Sequence, residues 1–167
     1  MDVRIPIEIC REGVELPSYT RKGDAGMDVR AAVDILVEPG ATVVVPTGLR
    51  FAIPEGYEIQ VRPRSGLSLN TPLCIPNSPG TIDAGYRDEL GILMMNTSPA
   101  VPDGEEAALP ILGLDVRGGR HGRYQIRKGD RIAQVVLAET PRMAFDVVPS
   151  VRSIGEDRGG GFGSTGH

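Results

Sequence analysis

Tryptophan is absent from this chain of 167 residues, and with only three Phe and four Tyr its core must be mainly aliphatic. Cysteine is scarce too. Cys10 and Cys74 have no CxxC or Cys/His spacing, which argues against a zinc site or a redox pair and predicts two buried free thiols. No apolar run approaches the length of a membrane span, and Met1-Asp2-Val3-Arg4-Ile5-Pro6 lacks the apolar stretch of a signal peptide, so a cytoplasmic protein without a membrane partner is expected. Nor is there a surplus of positive charge. The net charge of −4 excludes a broad surface for nucleic acid or anionic membranes. An anionic ligand must therefore meet local arginines or a bridging metal.

Glycine and proline, by contrast, are abundant, at 22 and 14 residues. So many turn formers exclude a helical bundle, and the lack of a strict period excludes collagen. Val3, Ile5, Ile7 and Ile9 alternate with Arg4, Pro6 and Glu8, which predicts a half-buried strand, and Pro6 puts it at a sheet edge. Tyr57, Ile59 and Val61 alternate with Glu58, Gln60 and Arg62, while Leu49, Phe51 and Ile53 form another period-2 set. Residues 42–45 and 132–137 are apolar runs of strand length. Glu38-Pro39-Gly40, Pro46-Thr47-Gly48, Pro54-Glu55-Gly56 and Lys128-Gly129-Asp130 punctuate these strands as turns.

The predicted architecture is all-β: a single-domain β-barrel or jelly-roll-like double sheet with one short helix over residues 65–70. Residues 1–154 make up this domain. Residues 155–167 form a flexible Gly-rich tail that cannot fold alone, because glycine loses so much backbone entropy on ordering. Residues 113–123, rich in Gly and Arg, read as an exposed loop insertion with a solvated His121.

The most informative segment is Gly80-Thr81-Ile82-Asp83-Ala84-Gly85-Tyr86. The chain turns at Ala84-Gly85 and returns through Asp88-Glu89-Leu90-Gly91-Ile92, which predicts a hairpin with the Asp83 carboxylate at its mouth. A carboxylate held there can orient and deprotonate a water. The unpaired main-chain groups of a splayed hairpin can also hydrogen-bond the edge of a flat ligand. The same residues equally suit an ordinary surface turn.

Four further segments carry polar groups suited to a phosphorylated ligand. Arg64, the Ser65 hydroxyl and the free N–H groups at a helix start around Gly66 suit phosphate oxygens, although a solvated strand end is the plainer reading. Asp28 closes a turn that holds two acids, from which a carboxylate reaches a magnesium ion through water or does nothing beyond turning the chain. Gln134 alternates to one face with Ile132 and Val136, and an amide there needs a buried polar partner or a ligand. In the tail, Gly-rich backbone suits close wrapping of phosphates, Ser164 and Thr165 add hydroxyl donors, Arg158 adds charge, and Phe162 suits stacking on a base.

Ala25-Gly26-Met27-Asp28, Pro63-Arg64-Ser65-Gly66-Leu67-Ser68, the Asp83 segment, Gly129-Asp130-Arg131-Ile132-Ala133-Gln134 and Arg158-Gly159-Gly160-Gly161-Phe162-Gly163-Ser164-Thr165-Gly166 follow in this order. In that arrangement the sequence resembles the trimeric deoxyuridine triphosphatases. The resemblance implies a β-barrel or jelly-roll subunit in a homotrimer with active sites at subunit interfaces. It implies cleavage of dUTP to dUMP and pyrophosphate with Mg2+, which limits uracil in DNA and supplies dUMP for dTMP synthesis.

On this resemblance Asp83 activates the water that attacks the α-phosphorus. Thr81, Ile82 and Gly91 hold uracil through main-chain groups, helped by Asn77, and Tyr86 packs on the deoxyribose where a 2′-hydroxyl has no room. Arg64, Ser65 and Gly66 hold phosphates from a neighbouring subunit, Gln134 contacts phosphate or the catalytic water, and Asp28 lies in the outer shell of the magnesium. The tail closes as a lid, with Phe162 on uracil, Arg158 at the γ-phosphate, and Gly163, Ser164 and Thr165 beside the ligand. Asp88 departs from the Gly common in relatives, and the three residues between Arg158 and Phe162 are one fewer than usual.

Three other readings compete. The dCTP deaminases share the fold, but Pro63-Arg64-Ser65-Gly66 and the Phe162 tail are of the triphosphatase type and no Glu is clearly placed for deamination. A nucleotide-binding regulator that uses tail closure as a switch is a second alternative, against which the retained Asp83 speaks. A β-rich interaction module without a site requires all five motifs to be coincidence.

Overall fold

The computed structural model describes residues 2–102, 104–157 and 159. Among them the chain forms twelve strands and one α-helix. The order is β1 (Ile7–Ile9), β2 (Gly26–Arg30), β3 (Ile35–Val37), β4 (Thr42–Pro46), β5 (Leu49–Phe51), β6 (Tyr57–Arg62), α1 (Ser65–Asn70), β7 (Leu73–Cys74), β8 (Gly80–Ile82), β9 (Gly91–Asn96), β10 (Ile111–Leu112), β11 (Arg123–Ile126) and β12 (Arg131–Glu139). A 3-10 turn, Glu106–Ala108, precedes β10. The all-β expectation holds, and the helix falls where the sequence predicts it.

Four small sheets enclose one core. One has the order β2-β12-β6-β8, another β4-β9-β7, a third β10-β11-β3, and β1 pairs with β5 alone. Period-2 burial decides which faces meet. Ile92, Met94 and Asn96 of β9 are fully buried, as are Val29 of β2 and Tyr124 and Ile126 of β11. Asn96 is a polar member of this core. Its Nδ2 donates to Val37 O at 3.0 Å and Gly122 O at 2.8 Å, while its Oδ1 accepts from Ser98 N at 3.0 Å. One side chain thus joins β9 to β3 and to the approach of β11.

Several expectations need correction. The first strand is shorter than its alternating pattern, because Pro6 has no N–H for a ladder; only Ile7–Ile9 pairs, at an edge as expected. Both cysteines are free but half-buried rather than buried. Residues 113–123 are not simply an exposed insertion: Leu114 and Val116 pack on the core, Gly122 is buried, and Gly119 N donates to Asn70 O at the end of α1. Asp115, Arg117, Gly118, Arg120 and His121 are its exposed part.

The hairpin at Asp83 is not a paired hairpin. β8 pairs antiparallel with β6, whereas β9 pairs with β4 and β7, so the two arms enter different sheets. Inward alternation of Ile92 and Met94 draws β9 into the second sheet, and Gly91 makes the approach to β4 possible. A Cβ on Gly91 would lie 2.6 Å from Val44 Cγ1.

Candidate active site

Asp28 and Gln134 occupy facing positions on β2 and β12, and Arg62 of β6 faces Gln134 from the other side. The pairing slips between Arg131 and Ala133. This irregularity breaks the expected parity: Ile132 and Ala133 are both fully buried, so Gln134 shares its half-buried face with Val136 but not with Ile132. The amide finds the partner that its position demands, with Nε2 donating to Asp28 Oδ1 at 3.2 Å.

Arg64 has extended backbone just before α1, which turns its side chain back across the sheet. Its Nε donates to Asp28 Oδ1 at 3.0 Å and its Nη1 to Arg131 O at 3.1 Å, and Arg131 Nη1 reaches Asp28 Oδ2 at 3.2 Å. Partial burial is the largest influence on the Asp28 carboxyl and opposes its charge. Hydrogen bonds from Arg64 and Gln134, with the charges of Arg64 and Arg131, outweigh it and hold the carboxyl below its ordinary range. Ser65 and Gly66 are exposed at the start of α1, and a Cβ on Gly66 would meet nothing within 4 Å. The chain's own packing does not require glycine there, and the space above it is open to a ligand.

The second group surrounds Asp83, which is exposed where β8 ends. Tyr86 N donates to Asp83 O at 3.0 Å and closes a tight turn. Arg87 Nη1 caps that turn on Ala84 O at 2.6 Å and Tyr86 O at 2.8 Å, and Tyr86 OH donates to Glu89 O at 3.0 Å. Asp83, Ala84 and Gly85 border a cleft of about 550 Å³ whose other wall is residues 55–58 and 140–142. Thr81 and Asn77 are exposed, Ile82 is half-buried against Ile59, and the Asn77 amide lies beside Gly80.

The return arm is tied down by groups that sequence reasoning missed. Glu89 Oε1 accepts from Arg11 Nε and from Gly48 N, both at 2.7 Å, and its Oε2 accepts from Arg11 Nη2 at 2.8 Å. Hydrogen bonding by Arg11 is the main cause that holds the Glu89 carboxyl below its usual range. Thr47, fully buried, donates its hydroxyl to Leu90 O at 2.7 Å. Arg131 was also missed, although it lies within a quoted motif, because only the ladder brings it to Asp28.

The two groups lie apart in one chain. Asp83 is one residue beyond Ile82 and so level with Ala138, four residues along β12 from Gln134, and three strand spacings separate β8 from β2. These offsets amount to about 13 Å and about 14 Å, or roughly 20 Å between Asp83 and Asp28. Arg158, Phe162, Gly163, Ser164 and Thr165 lie outside the described residues.

The model of the dUTPase family matches residues 12–102. A deoxyuridine 5'-triphosphate nucleotidohydrolase from Roseobacter denitrificans is 42% identical over 92% of this chain and 88% of its own length. The protein of the same name from Rhizobium leguminosarum bv. trifolii is 41% identical over 99% of this chain and 96% of its own. The chain belongs to the dUTPase family. Among solved structures, the dUTPase of Staphylococcus bacteriophage 80alpha with dUpNHpp superposes at a TM-score of 0.83 with 31% identity, covering 98% of this chain and 99% of that one. A mutant dUTPase from phage phi11 of S. aureus, described with a structural Mg(II) ion, gives a TM-score of 0.77 at 30% identity over 90% of this chain and all of that one.

Magnesium suits the dUTPase-type site in one manner. Among the described residues no three His, Cys, Asp or Glu side chains converge, so no protein cage for the ion exists there. Asp28 is held by Arg64, Arg131 and Gln134. A carboxylate engaged in this way fits the outer shell of a Mg2+ that keeps its waters and is bound chiefly by phosphate oxygens.

Proposed function

We propose that this member of the dUTPase family hydrolyses dUTP to dUMP and pyrophosphate as a homotrimer with Mg2+, in the cytoplasm. In doing so it limits uracil incorporation into DNA and supplies dUMP for dTMP synthesis. The observation that carries the reading is Asp83: an exposed carboxylate at the end of β8, beside splayed main chain and an open cleft. Asp83 orients a water and takes its proton as the water oxygen bonds to the α-phosphorus. The bond from that phosphorus to the bridging oxygen breaks, and pyrophosphate leaves with the electron pair. Thr81, Ile82 and Gly91 present main chain to uracil, where cytosine would oppose a donor to a donor. Asn77 assists them. Tyr86 stands against the deoxyribose.

Arg64, Ser65 and Gly66 hold the phosphates, and Gln134 contacts phosphate or the attacking water. When bound, Mg2+ neutralises charge developing on the phosphates, and Asp28 faces it through water. Arg158, Phe162, Gly163, Ser164 and Thr165, outside the described residues, belong to a lid over the ligand. Two observations favour the trimer. The separation of Asp83 from Asp28 is too great for one chain to present both to one triphosphate. Residues 141–157 are exposed throughout yet include Met143, Phe145, Val147, Val151 and Ile154, an apolar stretch that a second copy would cover.

The test is pyrophosphate release with Mg2+ from dUTP, dCTP, dTTP and UTP. Release from dUTP alone is expected, with Asp83→Asn binding the nucleotide but turning over roughly 10²- to 10⁴-fold more slowly. Ammonia from dCTP would move the chain to the deaminases. Tight dUTP binding without turnover would make it a regulatory binder.

A further inference from the structure

The loop between β8 and β9 has no ladder of its own, since its arms join different sheets. Its tip is folded on itself by Tyr86 N to Asp83 O, by Arg87 to Ala84 O and Tyr86 O, and by Tyr86 OH to Glu89 O. From the β8 side the tip is held by Ile82, which pairs with Ile59, and by Ala84, which packs on the core. On the return side Leu90 is fixed on Thr47 and Leu49, and Glu89 extends that attachment toward the tip, through Gly48 N and the fork of Arg11.

We propose that the Arg11–Glu89 pair is a positioning clamp that sets where Tyr86 stands. Arg11 reaches Glu89 across 78 residues of sequence and grips both carboxylate oxygens, so the carboxylate cannot rotate away from Gly48 N. The Glu89 main chain is then fixed on both sides, and its carbonyl is the acceptor that holds the Tyr86 hydroxyl. Gly48 is itself confined: φ is +72°, and a Cβ would lie 2.5 Å from Val14 Cγ2 and 3.2 Å from Arg11 Cβ. Cys10 N donates to Gly48 O at 2.9 Å, so the segment bearing Arg11 is anchored to the same turn. Arg11 is 42% exposed and Glu89 21% in their side chains, which makes the pair a device of placement more than of stability. The consequence for sugar selection rests on the reading of Tyr86 as the deoxyribose contact.

Arg11→Met and Arg11→Lys test this in the full chain by steady-state kinetics with dUTP and UTP and by amide hydrogen exchange. For Arg11→Met the KM for dUTP rises on the order of tenfold and the dUTP-to-UTP ratio of kcat/KM falls by a similar factor. Its kcat stays within about twofold of wild type. Exchange quickens at Tyr86 and Gly48 while β12 is unchanged. Arg11→Lys, which keeps a point charge but not the fork, falls between the two. Unaltered exchange at Tyr86 and Gly48 overturns the clamp, and faster exchange with unaltered KM and ratio overturns its positioning role. A wild-type protein inert toward dUTP sinks the functional reading instead, and the exchange comparison then decides the clamp alone.

Discussion

Gln134 of β12 donates to Asp28 of β2 across the ladder at 3.2 Å, and Arg64 brings its guanidinium to the same carboxylate oxygen at 3.0 Å. Both donors belong to segments expected to bind phosphate, and both are organised around one acid. Asp28 therefore has a role before any ligand arrives. It keeps Arg64 and Arg131 extended over the sheet end, so that little reorganisation is left for binding.

Asp28→Asn removes this organising charge and leaves two arginines side by side. Because the folded chain holds the carboxyl below its ordinary range, ionised Asp28 favours the folded state. That contribution is complete above the ordinary carboxyl range and is lost as pH falls through the depressed folded value. At neutral pH the variant is expected to lose about 1 kcal/mol. The gap to wild type should close from about pH 4 downward. Urea unfolding of both proteins at neutral and acid pH checks the sign, and a gap that widens in acid would contradict it.

If Asp83 and Arg64 serve one nucleotide from different subunits, two inactive variants can complement each other. Asp83→Asn and Arg64→Ala, unfolded together in equal amounts and refolded, should recover up to about a quarter of the wild-type sites, namely those that draw Asp83 from the Arg64→Ala chain and Arg64 from the Asp83→Asn chain. Mixing without unfolding should restore less. No recovery after refolding would place both residues in a site built by a single chain.

Local patterns made part of this structure legible. β6 and β5 follow from strict alternation, which any six residues carry within themselves, and α1 follows from the Pro63-Arg64-Ser65 start. The candidate phosphate residues Arg64 and Gln134 and the candidate magnesium residue Asp28 stand in separate segments of the sequence; the ladder sets Gln134 opposite Asp28, and the Arg64 side chain joins them. Partner choice was not legible. Nothing within Gly80–Ile82 says that it pairs with β6 rather than with β9, since that depends on which sheet the buried Ile92 and Met94 enter. The slip before Ala133 was hidden for the same reason: two successive apolar residues read as an uninterrupted run. Arg11 and Glu89, 78 residues apart, leave no mark of their pairing in either segment.

Asn96→Leu should be among the most damaging single changes away from the candidate site. Leu shares the branched shape of Asn but leaves the carbonyls of Val37 and Gly122 and the amide of Ser98 without their partner in a fully buried place. The expected loss is about 3 kcal/mol, from desolvated backbone groups rather than from a cavity. The fraction that still folds should turn over dUTP normally. Denaturant unfolding and activity per folded molecule separate these two effects.

Gly48→Ala tests whether the Glu89 attachment depends on a particular backbone shape. At φ +72° a Cβ is strained whatever surrounds it, by about 1 kcal/mol, and here it would also press on Val14 Cγ2 at 2.5 Å. Overpacking of that kind adds on the order of 1–3 kcal/mol. Val14 is half-buried and β-branched, so it cannot swing clear without leaving the core. Gly48→Ala/Val14→Ala relieves the contact but not the backbone strain, and should recover part of the lost stability. The turn also presents the N–H that Glu89 accepts and the carbonyl that Cys10 N meets. Residual strain should therefore appear in the double variant as a raised KM for dUTP even though its melting temperature is partly restored. Full recovery of both melting temperature and KM would mean that Val14 alone demands the glycine and that the turn's shape is immaterial to the loop.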